Sequence, residues 1–311
     1  MNVYSTLTDE DEGKIAYLSA SPFEVTHILR DMEKLPKHPV FGELLFPEKT
    51  SAQKMSCVVA LHGSLGWRGH HQDHINNWLD AGIAVFQIHS FESRKILDVV
   101  EDQMMVTHAM MLADAFAALR LLRTHPRIDE ERIGISGWSL GGTVALYSAW
   151  SPIIEALTSE GELFARHLPF YPAAHMQPEV NRWSSSPIRI LHGDNDDYTP
   201  LHFVTQIIQI MQSSKADVGV HVYQGAGHSF DSKEEKKWLP NAIRLDHRSV
   251  RIDTEWNLWA EKEPGELMRL NEPAERLAAF QYAKNIGAHV GGDRDARPHA
   301  LNYSTTFFLE M

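Results

Sequence analysis

The chain has 311 residues, enough for one large core or two modest domains. Hydrophobic residues make up 43% and charged residues 23%, the balance of an ordinary soluble globular protein. A net charge of −12 argues against a nucleic-acid partner or an anionic membrane surface. Cys57, the only cysteine, excludes an intramolecular disulfide and suits a reducing compartment, so a cytoplasmic location is expected.

The acidic start MNVYSTLTDEDEG lacks the apolar core of a signal peptide. Residues 1–50 carry two expected strands, 14–18 and 40–46, and read as an antiparallel entry to a sheet. Residues 51–231 read as a core. Short apolar runs at 56–62, 83–88, 132–136, 168–171, 188–192 and 218–223 alternate with helical patterns near 70–81, 101–124, 140–150 and 201–214. That alternation predicts an α/β fold: a mostly parallel sheet with helices on both faces. The apolar stretch Met104 to Leu122 is long enough to span a bilayer. His108, Asp114 and Arg120 interrupt it, so a helix buried in the core is expected instead. Residues 232–311 read as an extension packing on the core. Within it, 232–270, with Trp238, Trp256 and Trp259, reads as surface loops and short helices. Residues 273–287 read as a helix and 291–299 as a loop, and Phe307 and Phe308 are expected to pack onto the body. No linker separates two domains.

The stretch RIGISGWSLGG, Arg132 to Gly142, holds the first chemical signal. An isolated G-x-S-x-G is weak, and a glycine-rich loop with a capping serine is the plain alternative. Here a strand precedes Ser139 and a helical pattern follows it, which suits an exposed hydroxyl on a sharp bend. The amide of Leu140 then sits at a helix N-terminus, where it can stabilise an oxyanion. A serine nucleophile needs a base, and the base needs an orienting carboxylate, in the chain order Ser, Asp, His. HGDNDDYTP (192–200) follows a strand and offers Asp194, Asp196 and Asp197, among which spacing does not choose. QGAGHSFD (224–231) places His228 after the last core strand. HGSLG (62–66) leaves an earlier strand, and the amide of Ser64 is the candidate second oxyanion donor. His70 and His74 stand four apart, as zinc ligands can, but no third ligand or intervening glutamate accompanies them. That stretch is expected to start a helix close to the pocket, with no metal. Cys57 lies inside a strand and reads as packing.

Together HGSLG, DAFAALRLL (114–122), RIDEERIGISGWSLGG (127–142), FYP (170–172), HGDNDDYTP and YQGAGHSF (223–230) resemble the dienelactone hydrolase-like branch of the α/β-hydrolase superfamily, over roughly residues 40–232. The family pattern G-x-x-D-x-x-[VT]-P falls on Gly193, Asp196, Thr199 and Pro200, so the resemblance makes Asp196 the acid. The pattern G-A-x-H-S-F makes His228 the base. The best-known dienelactone hydrolases use a cysteine nucleophile, and Ser139 here favours ordinary ester hydrolysis. HSFESRK (89–95) keeps part of a further family motif, which would let Arg94 pair with a substrate carboxylate; a structural salt bridge or an exposed arginine is the equal alternative. Leu65, Trp138 and Tyr171 are the other candidates for the pocket wall.

The expected function is therefore a serine hydrolase of small-molecule carboxylic esters or lactones, working through Ser139, His228 and Asp196 without a cofactor. A thioesterase or peptidase with the same triad, or a ligand-binding protein of this fold without turnover, are the alternatives. Oligomeric state leaves no mark in the sequence.

Overall fold

In the computed structural model the described residues are 2–48, 53–245 and 248–311, and the expected boundary between residues 50 and 51 lies outside them. The chain opens with β1 (Gly13–Ser19), α1 (Val25–Asp31) and β2 (His38–Leu45). There follow β3 (Met55–Leu61), α2 (Gly69–Asp80), β4 (Ala84–Ile88), the single turn α3 (Ser90–Ser93) and α4 (His108–Leu122). Next come β5 (Ile128–Trp138), α5 (Leu140–Tyr147), α6 (Ser151–Leu157), β6 (His167–Phe170) and β7 (Met176–Pro178). Then come β8 (Ile188–Gly193), α7 (Leu201–Ser213) and β9 (Val218–Tyr223).

Eight strands form one sheet in the order β1-β2-β4-β3-β5-β6-β8-β9. The first two pairings are antiparallel and the rest parallel. β4 is buried along its whole length and β3 nearly so, as strands covered on both faces must be. α4 explains the long apolar stretch. All but two of its residues are buried, because α1, α5, α6 and the sheet surround it. It begins seven residues later than the sequence pattern suggests, since the Thr107 side chain accepts from the Met110 amide and caps it. Among the described residues, no helix is long and apolar enough to cross a membrane.

The extension departs most from the sequence reading. In place of loops and short helices, residues 237–269 form β10 (Lys237–Leu245), β11 (Val250–Ile252), β12 (Leu258–Glu263) and β13 (Glu266–Arg269). The expected helix stops early as α8 (Pro273–Ala283), and the chain turns into β14 (Lys284–Val290), which pairs with β10. β13, β12, β11 and β7 make a third sheet, with β7 supplied by the core. The expected loop 291–299 ends as α9 (Ala296–Leu309) begins, and Phe308 is fully buried, edge-on to Trp78 of α2.

Two buried ionic clusters tie these elements. Asp114 in α4 is fully buried. It accepts from Arg94 at 2.7 and 3.0 Å, from Ser19 at 2.6 Å and from Ser90 at 2.7 Å. Arg94 also donates to the carbonyls of Ser90 and Ala20. The expectation that Arg94 receives a substrate carboxylate is therefore corrected: Asp114 already occupies both arms of its guanidinium. Glu24 caps α1 through the Val25 amide. It lies 3.1 Å from both Arg276 of α8 and His108 of α4. Burial raises its pKa, but His108 and Arg276 outweigh burial and hold it at about 2.

Asp114→Ala leaves Arg94 buried without its partner and should cost about 3–5 kcal/mol of stability by denaturant unfolding. A change within about 0.5 kcal/mol would contradict the pairing, since that is the range of surface substitutions. Glu24 has a lower pKa folded than unfolded, so its stabilisation is complete above the unfolded value of about 4.5 and fades as pH falls toward about 2. Thermal melts of wild type and Glu24→Gln should show a gap at pH 6 that narrows by pH 3. A gap independent of pH would exclude a charged Glu24.

Candidate active site

The loops at the C-terminal ends of β3, β5, β8 and β9 converge on Ser139, at the edge where open α/β sheets place their sites. β5 ends at Trp138, Ser139 takes φ 54° and ψ −110°, and α5 starts at Leu140. Few residues with a side chain adopt such a positive φ. The turn is tight because Gly137 faces the backbone of Gly141: a Cβ on Gly137 would stand 2.3 Å from the Gly141 carbonyl oxygen. Two backbone bonds hold the bend, from the Ser139 amide to the Phe170 carbonyl at 3.0 Å and from the Thr143 amide to the Ser139 carbonyl at 2.8 Å.

His228 places Nε2 2.9 Å from Ser139 Oγ and Nδ1 2.8 Å from Asp196 Oδ2. The Asp196 carboxylate is further tied down by the amides of Tyr198 and Thr199 and by the Thr199 hydroxyl. Burial opposes its charge, yet His228 and these donors bring its pKa below the ordinary carboxylate value. The His228 ring lies between Tyr171 and Tyr198, at centroid distances of 4.6 and 4.8 Å.

The three aspartates of the 192–200 loop have separate partners. Asp194 accepts from the Gly225 amide, Asp196 meets His228, and Asp197 holds the backbone amide and ring of His289 in β14. The two loops approach so closely that a Cβ on Gly193 would stand 2.2 Å from the Ala226 carbonyl oxygen. The extension also clasps the histidine loop. The Gly291 amide donates to the His228 carbonyl, and the Asp293 amide to that of Phe230.

Asp231 is a buried site residue that the sequence reading missed. Trp138 Nε1 and the Tyr171 hydroxyl donate to it, each at 2.8 Å, and His74 Nε2 lies 3.2 Å away. Burial works against its charge, but His70 and His74 keep its pKa well below the usual range. The residue before Ser139 and the ring against His228 thus share one carboxylate. The signal was present in the sequence as the last residue of QGAGHSFD, three beyond His228. Both ring nitrogens of His74 face protein partners, Ser304 and Asp231. His70 instead reaches the wall of a cavity.

Among the described residues, two cavities open on Ser139. One, of about 120 Å³, is lined by Ser64, Leu140, Val106, Phe203, Leu258 and Phe280 among others. The other, of about 50 Å³, is lined by Ser64, Leu65, His70, Trp138, Tyr171 and His228 among others. Ser64, Leu65, Leu140, Trp138 and Tyr171 are thus all brought to Ser139's surroundings, and Arg94 lines neither cavity.

Residues 44–250, about two thirds of the chain, match the dienelactone hydrolase family. A curated relative from Bradyrhizobium sp, named "Probable 2-oxo-3-(5-oxofuran-2-ylidene)propanoate lactonase", is 25% identical over 188 residues, covering 56% of this chain and 72% of its own. A Bacillus subtilis relative, "Uncharacterized peptidase YtmA", is 22% identical over 41% of this chain and 62% of its own length. Among solved structures, Thermogutta terrifontis esterase 2 phosphoramylated by tabun superposes with a TM-score of 0.51 at 17% identity, over 69% of this chain and 85% of that one. That likeness establishes the α/β-hydrolase fold. The chain belongs to the dienelactone hydrolase family and is a carboxylic ester hydrolase.

Proposed function

We propose that the protein hydrolyses small carboxylic esters or lactones through an acyl-enzyme formed on Ser139. The observation that carries this reading is the line Ser139 Oγ, His228 and Asp196, with both contacts under 3 Å and all three residues buried. Ser139 Oγ attacks the carbonyl carbon while His228 Nε2 takes its proton. The carbonyl oxygen becomes an oxyanion, received by the amides of Ser64 and Leu140. The C–O bond to the alcohol then breaks, and His228 returns the proton to the departing oxygen. Water repeats the attack, giving its proton to His228, and the ester bond to Ser139 breaks as His228 passes that proton to Ser139 Oγ, releasing the acid. Asp196, ionised throughout, fixes the tautomer of His228 and stabilises its imidazolium.

The two cavities give the reaction a direction. The departing oxygen must meet His228, and His228 lines the smaller cavity. The alcohol therefore leaves on that side, beside His70, Arg68 and Glu234. The acyl part occupies the larger cavity, whose wall carries Leu140 and Ser64. In a lactone both parts belong to one molecule, which spans Ser139. The Bradyrhizobium relative is named for a lactone and the Thermogutta protein is named an esterase, two forms of the same acyl–oxygen bond.

Ser139→Ala should lose at least about a thousandfold in kcat and should not label with a fluorophosphonate probe. Wild-type protein should label at Ser139, and a panel of esters, lactones, acyl thioesters and peptides should show oxygen esters as the preferred class. Unchanged hydrolysis by Ser139→Ala would overturn the assignment.

A further inference from the structure

Three of the residues described lie in the walls of both cavities: Ser64, Ser139 and Tyr198. A substrate whose acyl part and departing alcohol sit in different cavities has its reacting carbonyl at their junction. Ser139 brings the nucleophile to that junction, Ser64 an oxyanion amide, and Tyr198 a phenol. The two tyrosine rings against His228 differ in what their hydroxyls do. The Tyr171 hydroxyl donates to Asp231 at 2.8 Å. The Tyr198 hydroxyl is buried and makes no hydrogen bond among the described residues. Burial pushes its pKa up to about 12, although the Ser64 side chain lies close enough to oppose that shift. It is therefore an O–H donor at ordinary working pH. The residue itself is held firmly. The Tyr198 amide donates to Asp196 at 2.9 Å, the ring lies 4.8 Å from that of His228, and Val100 and Val290 share its apolar cluster.

A buried hydroxyl without a partner is costly, and phenylalanine would fill the same space without that cost. Beside Ser64, at the junction of the cavities, the missing partner is an oxygen of the substrate. We propose that Tyr198 is a further catalytic residue, whose phenol O–H donates to the substrate carbonyl oxygen as that oxygen becomes an oxyanion. This rests on the assignment of Ser139 as nucleophile and of the Ser64 amide as oxyanion donor. As the bond from Ser139 Oγ to the carbonyl carbon forms, the carbonyl π electrons move to the oxygen. That oxygen accepts from the Tyr198 O–H as well as from the two amides. When the C–O bond to the alcohol breaks, the electron pair returns to the carbonyl, and Tyr198 has transferred no proton. An oxyanion is a stronger acceptor than an ester carbonyl, so the contact stabilises the transition state more than the bound ester.

Tyr198→Phe removes the hydroxyl and keeps the ring against His228. On p-nitrophenyl butyrate its kcat should fall by about tenfold to a hundredfold, with KM within about twofold of wild type. Its melting midpoint without ligand should equal or exceed that of wild type, because the hydroxyl has no protein partner to lose. Trifluoromethyl propyl ketone, which Ser139 converts to a hemiketal oxyanion, should bind the variant more weakly by about the factor lost in kcat/KM. On the unaltered protein, a crystal structure of that adduct should place the phenol oxygen within about 3 Å of the hemiketal oxygen. An unchanged kcat, a loss confined to KM, a midpoint lowered by several degrees, or unchanged affinity for the ketone would each overturn the proposal. So would an adduct on Ser139 whose oxyanion lies more than about 3.5 Å from the phenol. Such an adduct would leave the nucleophile assignment standing, whereas a wild-type protein that forms no adduct on Ser139 would overturn that assignment and the role of Tyr198 with it.

Discussion

Ser139 is held at φ 54°, a backbone state that costs a residue with a side chain about 1–3 kcal/mol, and the site exists only because its surroundings enforce that state. Relaxing the bend would swing Oγ away from His228. Three features prevent this. The Gly137–Gly141 contact admits no side chain, the Phe170 carbonyl takes the Ser139 amide, and α5 continues the chain from Leu140. Each belongs to a different part of the sheet–helix layer, so the strain is spread over a packed core rather than over a loop.

The partner groups depend on the same principle of over-determination. Asp196 is fixed by two amides and a hydroxyl before it meets His228. His228 then lies against two tyrosine rings and is held by the extension, whose Gly291 amide donates to its carbonyl. The residues after 231 therefore do two jobs. β14 and the turn that follows it brace the histidine and aspartate loops, while residues of β10, β11, β12 and α8 wall the larger cavity. A change in the extension that reshapes the larger cavity also acts on the loop that carries His228.

Much of this was legible in the sequence, and the boundary of legibility is physical. The elbow, the aspartate loop and the histidine loop each follow a short apolar run, so strand ends and turn residues mark them locally. Asp196 could not be told from Asp194 and Asp197 by spacing, because the distinction lies in partners far along the chain, the Gly225 amide and His289. Arg94 stayed open between a substrate contact and a salt bridge for the same reason: its partner Asp114 sits 20 residues away inside a helix whose apolar pattern hides it. The strands of 237–269 were missed because β11 and β13 are short and most of β10 and β13 faces solvent. β13 is exposed at three of its four positions, and its charges read as loop.

The two buried carboxylates near Ser139 show how environment separates chemically identical groups. Asp196 and Asp231 are both buried and both held ionised by nearby histidines and hydrogen-bond donors. Asp196 faces a histidine whose other nitrogen meets the Ser139 hydroxyl. Asp231 faces an indole N–H, a phenol O–H and His74, whose other nitrogen meets Ser304, and none of these reaches Ser139 Oγ. Its charge acts on geometry, fixing Trp138 before Ser139 and the Tyr171 ring against His228. An uncharged residue at 231 would leave three buried polar partners without an acceptor of comparable strength, in the layer directly beneath the strained serine. The bend at Ser139 thus rests on a second buried network, which makes no hydrogen bond to Ser139 Oγ and lies outside the glycine–serine motif.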